Sequence, residues 1–346
     1  MICLLAAAFG LTGLVAVLAE KKEETKGLLC VTSFYPVQLL AESVSDGAEG
    51  VTVRNLTERH SGCIHDYTLT TQDMRLLSEA ELFLINGGDM ELFLEKAASE
   101  YKSLTIVDTS EGYAFLEGLG HTYDHSESAH EDEHGEAEYH DGESEEHAGH
   151  SHALNAHLWL DIDGYLLQLS RVEEAFVAAD PAQAALYRAN AEKCRTELTR
   201  LKAEYETAKP ALAGTETVVF HEGFVYLLNM LGIETVHCIS MDSDTQIAAG
   251  EAAEIMEECR LHKITRLFAD ADYAKTVADT FAGELCAEVV VLDPVTGGTA
   301  GGSEKEARSA ADVSAEETDS AQGGIALYCE IMRDNLDIIQ QAYGVR

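Results

Sequence analysis

The chain is short of positive charge: 23 lysines and arginines stand against 62 aspartates and glutamates in 346 residues. The resulting net charge of −39 excludes nucleic acid as a partner, because its phosphates would be repelled. A cation suits that sign. The cysteines at 3, 30, 63, 194, 238, 259, 286 and 329 include no C-x-x-C pair, so neither a zinc ribbon nor a thioredoxin-type motif is present. Scattered in this way, they read mostly as small buried apolar side chains with at most one or two disulfides. H-E-x-x-H is absent as well. His221-Glu222 is followed by Gly223, Phe224 and Val225, which removes the usual helical signature of a zinc hydrolase. No basic run precedes the uncharged segment Ile2 to Ala19, and no lipobox-like run of small residues leads into a cysteine. That segment is marginal as a membrane span and reads as an export leader, residues 1–19, with lipidation unsupported.

What the chain has in excess is histidine beside acid. From His121 to His152 it carries His121, His125, His130, His134, His140, His147, His150 and His152 among eleven carboxylates, with no lysine or arginine. Imidazole suits Zn, Cu, Fe and Ni, and carboxylates attract cations and complete coordination shells. So polar a stretch has little to bury and cannot offset its ordering entropy. It reads as a flexible metal-collecting insertion.

Around it, short runs rich in β-branched and aromatic residues alternate with helical patterns. Leu28–Thr32, Gly50–Asn55, Leu82–Asn86 and Leu104–Asp108 read as strands, with helices at Pro36–Val44 and at Gln72–Ala80 behind the cap candidates Thr70 and Thr71. A second set follows: strands Thr217–His221, Glu234–Ile239, Thr265–Ala269 and Val289–Asp293, helices Glu251–Cys259 and Lys275–Cys286. Between the sets, Pro181 behind Asp180 predicts one helix to about Ala208, about 40 Å long at 1.5 Å per residue. An amphipathic helix, Ile325–Tyr343, closes the chain after a Gly- and acid-rich stretch at 297–324. The expected plan is α/β, two lobes of parallel sheet with flanking helices joined by one long rigid helix. The expected parts are a first lobe at 28–164, a connecting segment at 165–209 and a second lobe at 210–346.

Three further histidines share a context. His65, His157 and His221 each lie near the end of an expected strand or just ahead of a helix. In open parallel sheets, ligands bind beyond the carboxyl ends of the strands, so these three can converge between the lobes. A fourth ligand would be Asp293, at the end of the last strand, with Asp270 and Asp272 in competition. Glu222 would support His221 from behind. Three imidazoles and a carboxylate make a tetrahedral N/O site suited to Zn(II). Manganese would attract more oxygen. His60, His237 and His262 lack such context and read as surface or structural residues.

At these residues the sequence resembles the zinc-binding members of the cluster A-I substrate-binding proteins of metal ABC importers. The matching pieces are TSFYPV (32–37), HDYTLTTQDMRLLSEAELFLINGGDMELFLEK (65–96), NAHLWLD (155–161), DPAQAALYRANAEKC (180–194), FHEGFVYLLNMLGIE (220–234), LDPV (292–295) and YCEIMRDNLDIIQQAYG (328–344). The resemblance implies two lobes bridged by a rigid helix, with the metal between them. It puts His65, His157 and His221 on the family's three histidine ligands. Asp293 falls where relatives place an acidic ligand, although water or a loop residue can take that place. The manganese branch has a carboxylate where His221 stands. The departures are the truncated-looking leader and the Gly-rich stretch after Asp293. The implied function is a monomeric, non-enzymatic receptor that takes Zn(II) outside the cytoplasm, as transported ligand, to an ABC-type membrane permease and its ATPase. The alternatives are a zinc buffer or adhesin, a manganese receptor, and a zinc hydrolase.

Overall fold

The computed structural model describes residues 27–57, 64, 67–93, 100–118, 154–239, 249–297 and 323–345. The leader at 1–19, His60, His65, the run from His121 to His152 and most of the 297–324 stretch lie outside those residues, as does the Asp272 side chain.

The β-branched and aromatic runs form two sheets of parallel strands. In the first, β1 (Leu28–Thr32) pairs with β2 (Val51–Asn55) on one side and β3 (Leu82–Ile85) on the other, and β4 (Thr105–Asp108) lies outside β3. The second repeats that order, with β5 (Glu216–Val219) between β6 (Glu234–Cys238) and β7 (Arg266–Ala269), and β8 (Glu288–Val291) outermost. β3 is buried along its whole length, while β2 alternates between partly buried and exposed positions. This is the pattern of a sheet covered on both faces at its centre and wetted at its edge. In each sheet the strand order reverses beside the first strand, between β1 and β3 and between β5 and β7. These are the topological switch points at which open α/β sheets bind ligands.

Helices cover both faces. Helix α1 (Tyr35–Ser45) carries Pro36 in its first turn, where its fixed φ suits the helix, and buries Val37, Leu40, Ala41 and Val44. Of the two cap candidates before α2 (Thr71–Glu79), Thr70 is used. Its Oγ1 accepts the Asp73 N–H while Asp73 Oδ2 accepts the Thr70 N–H, a capping box that satisfies two otherwise orphaned donors. Helices α3 (Ile162–Ala179) and α4 (Ala184–Leu212) form the connection. Pro181 opens not the long helix itself but a 3-10 turn, Pro181–Gln183, and the α-helix begins one turn later. The Asp180 carboxylate is engaged by Gln183 Nε2 and Tyr187 Oη rather than capping the backbone. The helix after β7 begins earlier than its pattern predicts, at Ala271, because Asp270 Oδ1 accepts the Tyr273 N–H and caps it.

The lobes are joined by more than α4. The C-terminal helix (Gly323–Ala342) crosses back to the first lobe, where the Ile325 N–H donates to Ser43 Oγ in α1. Tyr328 stacks on Tyr165 of α3 with ring centroids 3.9 Å apart and donates its hydroxyl to the Trp159 carbonyl. Tyr205 of α4 donates to the Met332 carbonyl. One continuous apolar core therefore runs from Phe34, Leu40 and Leu84 through Leu198 and Tyr205 to Leu227, Phe268 and Leu292. Smaller cores back each sheet, around Leu77 and Phe83 in the first lobe and around Ile255 and Phe281 in the second. Among the described residues, Cys30, Cys194, Cys238, Cys259 and Cys329 are buried free thiols and Cys286 is an exposed one.

Candidate metal centre

His221 comes two residues after β5, beside the switch point with β7, so the second sheet itself carries it to the cleft. His157 arrives from the other side, at the end of the segment that leads into the short 3-10 turn Leu158–Leu160 and is 3% exposed. The two imidazoles meet edge to face, with ring centroids 4.9 Å apart. Gly223 makes this approach possible. A Cβ there would lie 2.7 Å from Leu160 Cδ1, 2.9 Å from His221 Cε1 and 3.0 Å from His157 Cβ. The glycine of the sequence HEGF thus leaves room for the ring pair.

His65 lies outside the described residues, but the chain on either side of it is held. Ile64 is fully buried in the main core. Tyr67 donates its N–H to the Ile64 carbonyl and its hydroxyl to Asp73 Oδ2, and its ring lies edge-on to Phe93. Burial and the Asp73 carboxylate push the Tyr67 hydroxyl up to about 12.

The carboxylates separate. Asp293 follows β8 in a tight turn in which its Oδ1 accepts the Val295 N–H at 2.7 Å, and Asn335 brackets its backbone N–H and carbonyl. Val295 is fully buried with φ +59°, an expensive conformation for a β-branched residue. Trp159 reaches this turn, its Nε1–H donating to the Pro294 carbonyl at 2.8 Å while its ring lies 5.0 Å from that of His157. The Asp293 turn is therefore tied to the histidine pair through one side chain. Asp270 is buried at the start of the following helix, with its Oδ1 committed to the Tyr273 N–H. Glu222 is buried directly after His221, and its carbonyl accepts from Asn155 Nδ2. Among the described residues no three His, Cys, Asp or Glu side chains gather into a metal-holding group. His237 and His262 face carboxylates of their own lobe, Glu258 at 3.2 Å and Glu216 at 3.1 Å.

Sequence reasoning passed over the residues that hold the centre together. The segment Asn155–Ala156–His157 is fastened to both sheets. Asn86, just beyond β3, donates from Nδ2 to the Ala156 carbonyl, and Asn155 donates from Nδ2 to the Glu222 carbonyl. Tyr226 donates its hydroxyl to the Asn155 carbonyl, and burial pushes that hydroxyl up to about 12. Behind Asn86 sits Glu91, fully enclosed, accepting the Asn86 and Gly87 N–H groups at 2.7 and 3.1 Å. Burial pushes its carboxyl up to about 7. Gln168 of α3 completes the set, donating to Asn86 Oδ1 and Thr109 Oγ1. Asn86, Glu91, Asn155 and Tyr226 all lie inside the pieces that carry the family resemblance, but their partners in space are not marked there.

Comparison with known proteins places the chain in a family. A family model described as zinc-uptake complex component A, periplasmic, matches residues 30–342. The chain belongs to this family. Among relatives of this zinc-uptake family, zinc-binding protein AdcA of Streptococcus pyogenes is 25% identical over 337 residues, covering 96% of this chain and 58% of that protein. The chain thus spans a little over half the length of that relative. High-affinity zinc uptake system protein ZnuA of Bacillus subtilis is 26% identical over 327 residues, covering 93% of this chain and 90% of that protein. The crystal structure of Zn(II)-bound AdcA from Streptococcus pneumoniae superposes with a TM-score of 0.67 at 19% identity, covering 92% of this chain and 58% of that one. At that identity it establishes a shared fold. Among the described residues no helix is long and apolar enough to cross a membrane.

Proposed function

We propose that this member of the zinc-uptake family is a receptor that captures Zn(II) between its lobes, outside the cytoplasm, and hands it to an ABC-type permease driven by its ATPase. The ion is cargo. His65, His157 and His221 are its proposed ligands, and Asp293 is the proposed fourth. The observation that carries this reading is the meeting of His157 and His221 at the β5/β7 switch point, with a glycine holding the space between them. Two imidazoles this close suit a borderline-soft divalent ion. The family membership and the relatives named for zinc binding support zinc over manganese. The run from His121 to His152 is proposed as an auxiliary collector that raises the local zinc concentration near the cleft. The receptor acts as a monomer and performs no chemistry on its cargo.

Delivery in this fold is proposed to use small loop movements. The core shared by both lobes and the Tyr165–Tyr328 stack oppose wide opening. The test is calorimetric titration of the full chain with Zn(II) and Mn(II), alongside His65→Ala, His157→Ala and His221→Ala. One tight Zn(II) site that each substitution weakens, and uptake of zinc by permease-bearing vesicles only when the receptor is added, are the expected results. Unchanged tight binding in all three variants would refute the ligand set.

A further inference from the structure

Asn155 is completely buried, and each of its polar atoms has a defined partner. Its N–H donates to the Leu116 carbonyl at 2.9 Å and its carbonyl accepts from Tyr226 Oη at 2.8 Å. The side-chain amide lies between two backbone groups whose roles are not interchangeable. The Glu222 carbonyl can only accept, so the amide nitrogen must face it, at 3.0 Å. The His157 N–H can only donate, so the amide oxygen must face that, at 3.2 Å. The same oxygen lies 2.9 Å from Nδ1 of the His157 ring. An amide oxygen has no proton to give, so this contact is a hydrogen bond only when Nδ1 carries the proton. The neutral ring then keeps its lone pair on Nε2, the nitrogen on the far side from Asn155.

We propose that Asn155 is a positioning residue for metal capture: its amide sets the Nδ1–H tautomer of His157, and ties the His157 segment to the loop that carries His221. The first task makes Nε2 a ready ligand. The second keeps the two imidazoles in register, because the Glu222 carbonyl held by Asn155 belongs to the residue next to His221. The metal-facing part of this proposal rests on His157 being a ligand. The tautomer part does not. Removing a hydrogen-bond partner of a metal-binding histidine typically lowers metal affinity 10–100-fold.

The test compares the full-length chain with Asn155→Ala, Asn155→Asp and His157→Ala. Asn155→Asp keeps an oxygen toward His157 and loses the donor toward Glu222. Asn155→Ala loses both. Long-range 1H–15N spectra of the metal-free proteins read the His157 tautomer, calorimetry reads Zn(II) affinity, and thermal melts read the fold. The wild type and Asn155→Asp should show Nδ1–H, and Asn155→Ala should shift toward Nε2–H. Both Asn155 variants should lose melting temperature, since both lose the bond to Glu222. Zinc affinity should fall 10–100-fold in Asn155→Ala, and by a smaller factor in Asn155→Asp, which loses only the tie to Glu222. A merely structural role would make affinity track melting temperature in both variants. The proposal is overturned by Nε2–H in the metal-free wild type, by an unchanged tautomer in Asn155→Ala, or by equal affinity losses in the two Asn155 variants. If His157→Ala binds zinc like the wild type, the ligand assignment fails instead, and the metal-free spectra still decide the tautomer. Should Asn155→Ala not fold, the wild type and Asn155→Asp spectra decide it between them.

Discussion

The Nε1–H of Trp159 reaches across to the carbonyl of Pro294 at 2.8 Å, joining the turn that holds Asp293 to the segment that holds His157. Trp159 is the chain's one tryptophan, and its ring lies 5.0 Å from that of His157. It is an intrinsic reporter for the cleft.

Titrating zinc into the metal-free protein should therefore change tryptophan emission and reach a plateau at one equivalent. His157→Ala should remove the response. Ions held by the run from His121 to His152 would add further equivalents by calorimetry without a matching fluorescence step. An emission change that keeps growing well past one equivalent would place the tight ion elsewhere.

Gly223→Ala tests the space between the rings. Its new methyl would press on Leu160, His221 and His157 at 2.7 to 3.0 Å. Overpacking of this kind costs about 1–3 kcal/mol in fold stability. Because two of the three neighbours are the proposed ligands, zinc affinity should drop by more than about tenfold, the low end expected for disturbed metal ligands. Melts with and without zinc measure both effects, and a destabilised protein with intact affinity would separate the packing from the site.

Glu91 supplies a pH dependence whose sign can be worked out. Burial raises its carboxyl from 4.5 to about 7, so between those values the folded chain holds a proton that the unfolded chain releases. The stability linked to that proton is complete below about 4.5 and is lost as pH rises through about 7. At most ~3 kcal/mol is involved. Between pH 5 and 8, Glu91→Gln should flatten this part of the wild-type decline, while carrying a constant cost for the backbone N–H that loses its acceptor. Urea midpoints at the two pH values measure it. Parallel curves for the two proteins would show that Glu91 stays ionised.

Deleting His121–His152 should remove the weak zinc equivalents and leave the tight one. A run with so little to bury must fix roughly 1–2 kcal/mol of backbone freedom per residue to chelate, whereas His157 and His221 already meet against a packed core. Calorimetric stoichiometry should fall to one, with the tight affinity unchanged and the capture rate lowered. Loss of the tight site on deletion would make the loop a direct ligand.

The sequence by itself determined the two-lobed α/β plan. Strand runs such as LLCVT and LFLI are read from local composition alone: the first has the expected bounds, and the second ends one residue earlier than expected, at Ile85. The start of α4 was less legible, because Asp180 gives its carboxylate to Gln183 and Tyr187 and leaves a 3-10 turn ahead of the helix. His221 could be singled out because a histidine beyond a strand end in a parallel sheet has a known place to go, and His157 because it stands just ahead of a helical segment. Three things needed the tertiary structure: the return of the C-terminal helix onto α1, the buried Glu91–Asn86–Ala156 brace, and the amide of Asn155 between His157 and Glu222. The physical reason is the range of the forces involved. Hydrophobic periodicity and capping act over one or two turns and leave a trace in neighbouring residues. A buried hydrogen bond is specified only when packing brings its donor and acceptor together, and nothing along the chain marks Asn155 and Glu222 as partners.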